Sequence, residues 1–161
     1  LSLIIFNSMK NWFFTIMLIG FSIKTPAQIK NIIKGSPFPF AIGILHIEYE
    51  RVLSSKSGLS VGGFLSPYGS GSRGIWTMYK FYITHQSRFV PSGLYIGPNL
   101  GYVSFDESQF PLMGAQLGYQ WAKFKGLTVD LSIGPEYSLI SDSEIFGYPF
   151  PFMKFNLGYA W

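Results

Sequence analysis

The 161-residue sequence contains no cysteine and few charged residues. The lack of cysteine excludes disulfides and thiolate metal sites. Charged residues make up 12% of the chain, against roughly 25% in soluble proteins, and this is too few for an ordinary hydrated surface. The 12 lysines and arginines are scattered singly and leave a net charge of +4. The sequence therefore lacks the basic patch of a nucleic-acid-binding protein.

Long hydrophobic runs are also missing from residue 28 onward, where no segment approaches the ~18 apolar residues of a transmembrane helix. Aromatic residues, by contrast, reach 19%, and there are 18 glycines. A membrane protein without such helices has to be a closed β-barrel, because only helices and barrels satisfy every backbone polar group in lipid. The length corresponds to one domain.

Residues 9–27, MKNWFFTIMLIGFSIKTPA, have the layout of a secretory signal peptide: a positive residue, an apolar run, and small residues at Thr25 and Ala27. The alternative is a membrane anchor helix, but the apolar run has only about 13 residues before a lysine and a proline interrupt it. We therefore predict cleavage before Gln28, and we interpret residues 1–8 as a segment upstream of the native start.

From Gln28 onward, short segments of alternating apolar and polar residues recur between clusters of Gly, Pro, Ser and Asn, which is the pattern of β-strands. Eight strands are predicted, at residues 28–35, 43–51, 59–65, 75–83, 94–103, 113–121, 127–139 and 153–161. The smallest even number of strands that closes a membrane barrel is about eight. Pro98 and Pro135 fall inside these strands and are predicted to lie at bulges.

The two faces of these strands differ in composition. In strands two to eight, Arg51 at a strand end is the only charge on the apolar face. The other face is rich in glycine and holds Glu48, Glu50, Lys80, Asp130, Glu136 and Lys154. This pattern predicts an all-β, eight-stranded antiparallel up-and-down transmembrane barrel over residues 28–161, with the apolar face toward lipid and glycine making room in the lumen. The alternative is a soluble periplasmic barrel with the faces reversed, which binds an apolar ligand.

Aromatic residues and loop charges suggest how such a barrel is oriented. The aromatic residues expected to form girdles at the two membrane interfaces are Tyr49, Tyr102, Tyr119, Trp121, Tyr137, Tyr159 and Trp161. From a periplasmic N-terminus, the loops LSSKSG, THQSRFVPSG and AKFKG fall inside and carry basic residues. The loops SPFPF, SPYGSGSRG, FDESQF and SDSEIFGYPF fall outside, and their charges are acidic except Arg73. We predict that both termini lie in the periplasm.

The segments KNII, IEYERV, YKFYI, GLYIGPNLGY, GAQLGYQW and KFNLGYAW resemble the small eight-stranded outer-membrane barrels of the OmpA/OmpX type. They resemble in particular an uncharacterised family of such barrels in Gram-negative bacteria. The alternating segment that ends on Trp161 is similar to the C-terminal signal read by the outer-membrane assembly machinery. The resemblance implies a location in the outer membrane, contact with lipid and lipopolysaccharide, and a monomer. It implies no reaction and no cofactor.

Two constellations could carry chemistry. His85 and Ser87 match the His-x-Ser pair of outer-membrane lipid A deacylases, but no glutamate follows closely to orient the histidine. His46 shares a predicted strand face with Glu48 and Glu50, which is a possible metal site. We favour a polar turn for the first constellation. For the second we favour a lumen network in which four lysines neutralise the inward carboxylates. The lysines of this predicted network are Lys30, Lys34, Lys80 and Lys154.

The sequence thus predicts no catalytic, cofactor-binding or metal-binding residue and no enzyme activity. The favoured function is a structural or surface-interaction role in the outer membrane. In this view the interior is filled by side chains and leaves no open pore. The alternative is a lipid A-modifying enzyme that uses His85 and Ser87.

Overall fold

The computed structural model describes residues 31–66, 71–84, 90–105, 108–123, 126–139 and 149–161. These residues form the strands β1 (Asn31–Gly35), β2 (Leu45–Ser54), β3 (Ser57–Leu65), β4 (Arg73–Tyr82), β5 (Gly93–Phe105), β6 (Ser108–Lys123), β7 (Leu127–Ser138) and β8 (Phe150–Ala160). One short helix, α1 (Pro37–Ala41), joins β1 to β2. Each strand pairs antiparallel with the next, and β8 pairs with β1. The predicted eight-stranded up-and-down barrel is confirmed as a fold.

Several strands extend beyond the alternating segments. The loop predicted at FDESQF is mostly strand, because β5 continues to Phe105, which pairs with Ser108 at the start of β6. The segment LSSKSG likewise narrows to a tight turn in which Ser54 pairs with Ser57. Backbone pairing continues past the hydrophobic pattern because each added residue can bond to a neighbouring strand that is already in place.

The two ends of the barrel differ, and we name them by their contents. The helix end carries α1, the end of β5 and the start of β6, and the terminal end carries Asn31, Trp161 and the turn between β2 and β3. At the terminal end the backbone N–H of Asn31 donates to the carbonyl of Trp161 at 3.2 Å, and the reverse bond measures 2.9 Å. No helix among the described residues is long and apolar enough to cross a membrane.

Helix α1 lies in the segment SPFPF, which was predicted as a loop. Pro37 occupies the first turn, where its missing N–H costs nothing because the amides there have no partner within the helix. Ser36, just before the helix, donates from its hydroxyl to the carbonyl of Phe155 at 2.7 Å. This contact holds α1 beside the end of the β1–β8 ladder at which Gly35 pairs with Leu157.

Burial confirms which face of the sheet is inside. Glu48, Glu50 and Lys80 are fully buried in the lumen, while Leu131 and Ile133 on the alternate positions of β7 are exposed. The outward side chains of the described strands are aliphatic or aromatic in most positions, and the exceptions are mainly small or uncharged polar residues. The charged face is therefore the interior and the apolar face is the surface, the reverse of a water-soluble barrel.

Bulges do not occur at Pro98 or Pro135, contrary to the prediction. The β4–β5 and β6–β7 ladders skip two pairs beside these prolines but keep the same register on both sides. Each proline remains paired on its other side, Pro98 with Ala115 and Pro135 with Pro151. A proline lacks one donor, so it interrupts a single ladder locally without inserting an extra residue.

Glycines on the inner face make room for large side chains, as predicted. A Cβ atom at Gly62 would lie 2.6 Å from the ring of Trp76, and a Cβ atom at Gly118 would collide with the ring of Tyr95. Real Cβ atoms do not approach neighbours this closely. The rings of Trp76 and Tyr95 can therefore occupy these positions only because the paired residues on the neighbouring strands, Gly62 and Gly118, are glycines.

The outward aromatic residues form two groups. Tyr119, Trp121, Tyr159 and Trp161 lie toward the terminal end, and Tyr102 and Tyr137 lie toward the helix end. The rings of Tyr119 and Trp121 are in contact, with centroids 4.4 Å apart. Tyr49 lies in the middle of β2, not at a strand end as predicted, although its hydroxyl donates to Asn31 Oδ1 at 2.8 Å.

Candidate functional site

The functional groups of the described chain are concentrated in the lumen, where two lysines lie among three carboxylates. The ammonium group of Lys34 is 2.6 Å from Glu50 and 2.5 Å from Asp130, and that of Lys80 is 3.0 Å and 2.6 Å from the same two carboxylates. Glu48 lies farther away, at 3.8 Å from Lys34 and 3.6 Å from Lys80. We call these five residues the charge network.

Strand register brings the charge network together. Lys34 lies opposite Glu48 across the β1–β2 ladder, and Asp130 comes from β7, which is separated from β1 by β8 alone. The long side chains face small ones on neighbouring strands: Lys80 lies opposite Gly58, and Glu50 lies opposite Ser60. This alternation of long and short residues leaves space for the side chains to extend across the lumen.

Two buried tyrosines complete the hydrogen bonding of the carboxylates. The hydroxyl of Tyr82 donates to Glu50 Oε1 at 2.7 Å, and that of Tyr95 donates to Asp130 Oδ1 at 2.6 Å. The second oxygen of each carboxylate accepts from both lysines. Lys80 also lies 4.4 Å from the centroid of the Tyr95 ring, a cation–π contact. Buried charges with this many partners lose little of the stabilisation they had in water.

The metal hypothesis has a partial counterpart in the structure. Oxygens of Glu48, Glu50 and Asp130 lie within 4.8 Å of one another, a spacing that a cation could bridge. The ammonium groups of Lys34 and Lys80 already lie between these oxygens and neutralise them. His46 does not join the cluster, because its ring stacks on Trp76 with centroids 4.9 Å apart. The arrangement is that of a charge network rather than a metal site.

The predicted lumen network is confirmed for its described members except Glu136. Lys34, Lys80 and Lys154 pair with Glu48, Glu50 and Asp130, and Lys154 reaches Glu48 at 3.2 Å. The prediction was wrong for Glu136, which forms no ion pair with a described residue. Asn99 and Gln116 donate to its Oε1 instead, at 2.6 Å and 3.2 Å. The ammonium group of Lys154 pairs with Glu48 instead. Lys30 lies outside the described residues.

The terminal end of the lumen is closed by a segment that the sequence did not single out. Val90, Pro91 and Ser92 precede β5 and are buried. Val90 packs with Ile32, Val52 and Ala160 in an apolar cluster. The side-chain amide of Gln120 donates to the carbonyl of Pro91 at 2.8 Å. This segment therefore seals the lumen below the charge network.

The helix end of the lumen is different, because it contains a cavity of about 320 Å³. We call it the helix-end cavity. Its walls are mainly aromatic and aliphatic, and polar groups are few. The polar side chains among its lining residues are Ser36, His46, Asn99, Glu136 and Lys154, together with the indole of Trp76. Trp76 is the residue that sequence reasoning missed, although the alternation of β4 places it on the same face as Met78 and Lys80.

The remaining sequence hypothesis concerns His85 and Ser87, which lie outside the described residues. The proposed catalytic pair therefore stays a prediction. No protein-family model matches the chain, and no curated protein or solved structure shows significant similarity to it. The resemblance to OmpA/OmpX-type barrels rests on short segments of the sequence alone, so the geometry of the barrel is the basis for assigning a function.

Proposed function

We propose that this protein is a small outer-membrane β-barrel with a structural or surface-interaction role and no open pore. The observation that carries the proposal is the distribution of charge between the two faces of the sheet. Of the outward side chains that the structure describes on the strands, only Arg51 and Arg73 are charged, and Arg73 is the first residue of β4. A surface of this kind is unstable in water and suited to lipid.

The dimensions of the strands support the same conclusion. Strands β2 to β8 contain between 9 and 16 residues, and a tilted strand needs roughly 9–11 residues to cross the hydrocarbon core of a bilayer. β8 closes on β1 through the pairs from Gly35–Leu157 to Ile32–Ala160, so the described strands form a closed barrel and not an open sheet, whose free edges lipid could not solvate. The two groups of outward aromatic residues lie toward the two ends of the barrel, where a membrane barrel has its interfacial girdles.

The interior supports a role other than solute passage. Among the described residues, the charge network and the Val90–Ser92 segment occupy the lumen from its middle to the terminal end, which supports a lumen without an open pore. In the proposed orientation the terminal end faces the periplasm and the helix end faces outward. The outer surface of the strands then contacts lipid and lipopolysaccharide. Strand β8 presents the alternating pattern that the assembly machinery reads.

Fractionation of cells that express the full chain tests the location. We expect the protein in the outer-membrane fraction, as a band whose electrophoretic mobility changes on heating because the folded barrel resists detergent. Recovery in the soluble periplasmic fraction would contradict the proposal and favour the soluble barrel. Leu131→Arg serves as a matched variant, because it should reduce the membrane-inserted fraction only if the outer face meets lipid.

A further inference from the structure

The helix-end cavity is large enough to hold a small molecule, and its walls are mainly apolar. At about 320 Å³ it lies at the lower end of the range for ligand pockets, roughly 300–1,000 Å³. Rings from Phe64, Trp76, Phe110, Phe150 and Phe152 line it. The rings of Phe64 and Trp76 stack with centroids 6.5 Å apart, so one wall is a continuous aromatic surface.

The charge beside this cavity is unbalanced. Among the described lumen residues, the carboxylates are Glu48, Glu50, Asp130 and Glu136, and the ammonium groups are those of Lys34, Lys80 and Lys154. The three lysines all pair with the first three carboxylates. Glu136 accepts both of its hydrogen bonds on Oε1, and its Oε2 accepts none from a described residue. A carboxylate that is 5% exposed and forms no ion pair with a described residue favours a positively charged partner.

We propose that the helix-end cavity binds a small organic cation, an amine with an apolar body. Its ammonium group would donate to Glu136 Oε2, and its body would pack against the wall formed by Phe64 and Trp76. Aromatic rings also attract a cation through their faces, which strengthens binding in a site shielded from water. The site consists of lumen side chains, so it does not depend on where the barrel resides in the cell.

An anionic ligand fits the same cavity less well. Among the described residues of the wall, the one lysine is Lys154. Its ammonium group is already 3.2 Å from the Glu48 carboxylate and lies 5.8 Å from the centroid of the Trp76 ring. An anion would have to displace that ion pair and would then face Glu136. Like charges in a poorly solvated site repel strongly. An apolar molecule without charge would fill the space and leave Glu136 without a partner.

Calorimetric titration of the purified, refolded full chain in detergent micelles tests the proposal, with three probes of similar shape. The probes are 2-phenylethylammonium, the neutral 2-phenylethanol and the anionic 3-phenylpropionate, each corrected for binding to empty micelles. We expect the ammonium to bind most tightly. Glu136→Gln keeps the acceptor for Asn99 and Gln116 but removes the charge. It should weaken ammonium binding by about 10- to 100-fold, the value of a hydrogen bond to a charged group.

A second variant fills the cavity without changing charge. Gly101 lines the cavity, and a Cβ atom there would meet its nearest neighbours at 3.4 Å, an ordinary contact. Gly101→Leu should therefore fold and abolish binding of the ammonium. The control Ala115→Leu places the same final side chain at an exposed outward position and should leave affinity unchanged.

The outcomes are decisive in both directions. Tightest binding of the ammonium, loss in Glu136→Gln and loss in Gly101→Leu together support the cation site. Equal or tighter binding of 3-phenylpropionate, unchanged ammonium affinity in Glu136→Gln, or no ammonium binding by the folded protein would each overturn it.

Discussion

In the terminal half of the lumen, two ammonium groups lie between three carboxylates, and a buried segment seals the space beneath them. In the helix half, a cavity of about 320 Å³ lies beside Glu136, which has no cationic partner among the described residues. The same alternation of residues builds both halves. In the terminal half the long charged side chains reach one another across the lumen, whereas the aromatic rings that line the helix half leave a space between them.

Glycine illustrates this point in both halves. In the terminal half, the ring of Tyr95 occupies the space that a side chain at Gly118 would need. In the helix half, Gly101 has no neighbour closer than ordinary contact distance from an added Cβ atom. The space beside a glycine is therefore filled when a long residue lies opposite it. A glycine without such a partner contributes to a cavity.

The largest expected effect comes from breaking the charge network. Lys34→Met should lower the free energy of unfolding by about 3–5 kcal/mol, because it leaves Glu50 and Asp130 with too little positive charge in a buried site. Lys56→Met, in the exposed turn between β2 and β3, is the control and should cost about 0–1 kcal/mol. Urea unfolding in lipid vesicles measures both. Equal stability of the two variants would contradict the network.

The next effect distinguishes the outer face from the lumen. Leu131→Arg, in the middle of β7, should cost about 2–4 kcal/mol in a bilayer, whereas Leu139→Arg just beyond β7 should cost about 0–1 kcal/mol. Ser132→Arg acts inside instead, where the serine hydroxyl donates to Gln116 at 3.0 Å. Unfolding of vesicle-bound variants measures these costs. A mild effect of Leu131→Arg, like that of the loop change, would reverse the assignment of faces.

The two halves should also respond differently to one chemical change. Glu50→Gln removes the negative charge that pairs with Lys34 and Lys80 and leaves one acceptor oxygen in place of two, so it should cost about 3–5 kcal/mol. Glu136→Gln separates no ion pair among the described residues and keeps the acceptor oxygen, so it should cost about 1 kcal/mol or less. The same unfolding measurement compares them. A cost for Glu136→Gln as large as that for Glu50→Gln would show that Glu136 is paired after all.

The smallest expected effect concerns assembly. Trp161 is exposed on the outer face beside Tyr159, and its backbone bonds to Asn31 where the barrel closes. Trp161→Ala keeps these backbone bonds and removes the aromatic anchor. It should slow insertion while leaving the stability of the assembled barrel nearly unchanged. Pulse-chase formation of the heat-modifiable band measures the rate, and an unchanged rate would count against a role in assembly.

The sequence predicted the barrel because alternation and composition act locally on each strand. The opposite faces of Leu131 and Ser132, for example, follow from two-residue periodicity alone. The partners inside the lumen were harder to predict. That Lys34 meets Asp130, 96 positions away in the sequence, depends on how β1 and β7 are staggered when the barrel closes. Strand periodicity carries no information about that stagger.

Two features could not be predicted for the same reason. Glu136 was grouped with the paired carboxylates because it shares their face, but its height in the barrel places it beside Asn99 and not beside a lysine. The sealing residue Val90 precedes β5 and has no alternation to mark it. Its burial becomes evident only when Ile32, Val52 and Ala160 are seen to surround it.

We propose that this barrel spans a membrane with a closed lumen, and conductance across a planar bilayer distinguishes a closed lumen from an open one. Insertion is verified in the same preparation by the heat-modifiable band. We expect no steady current through the inserted protein, because the charge network and the Val90–Ser92 segment fill the terminal half. A steady, large single-channel conductance would contradict it.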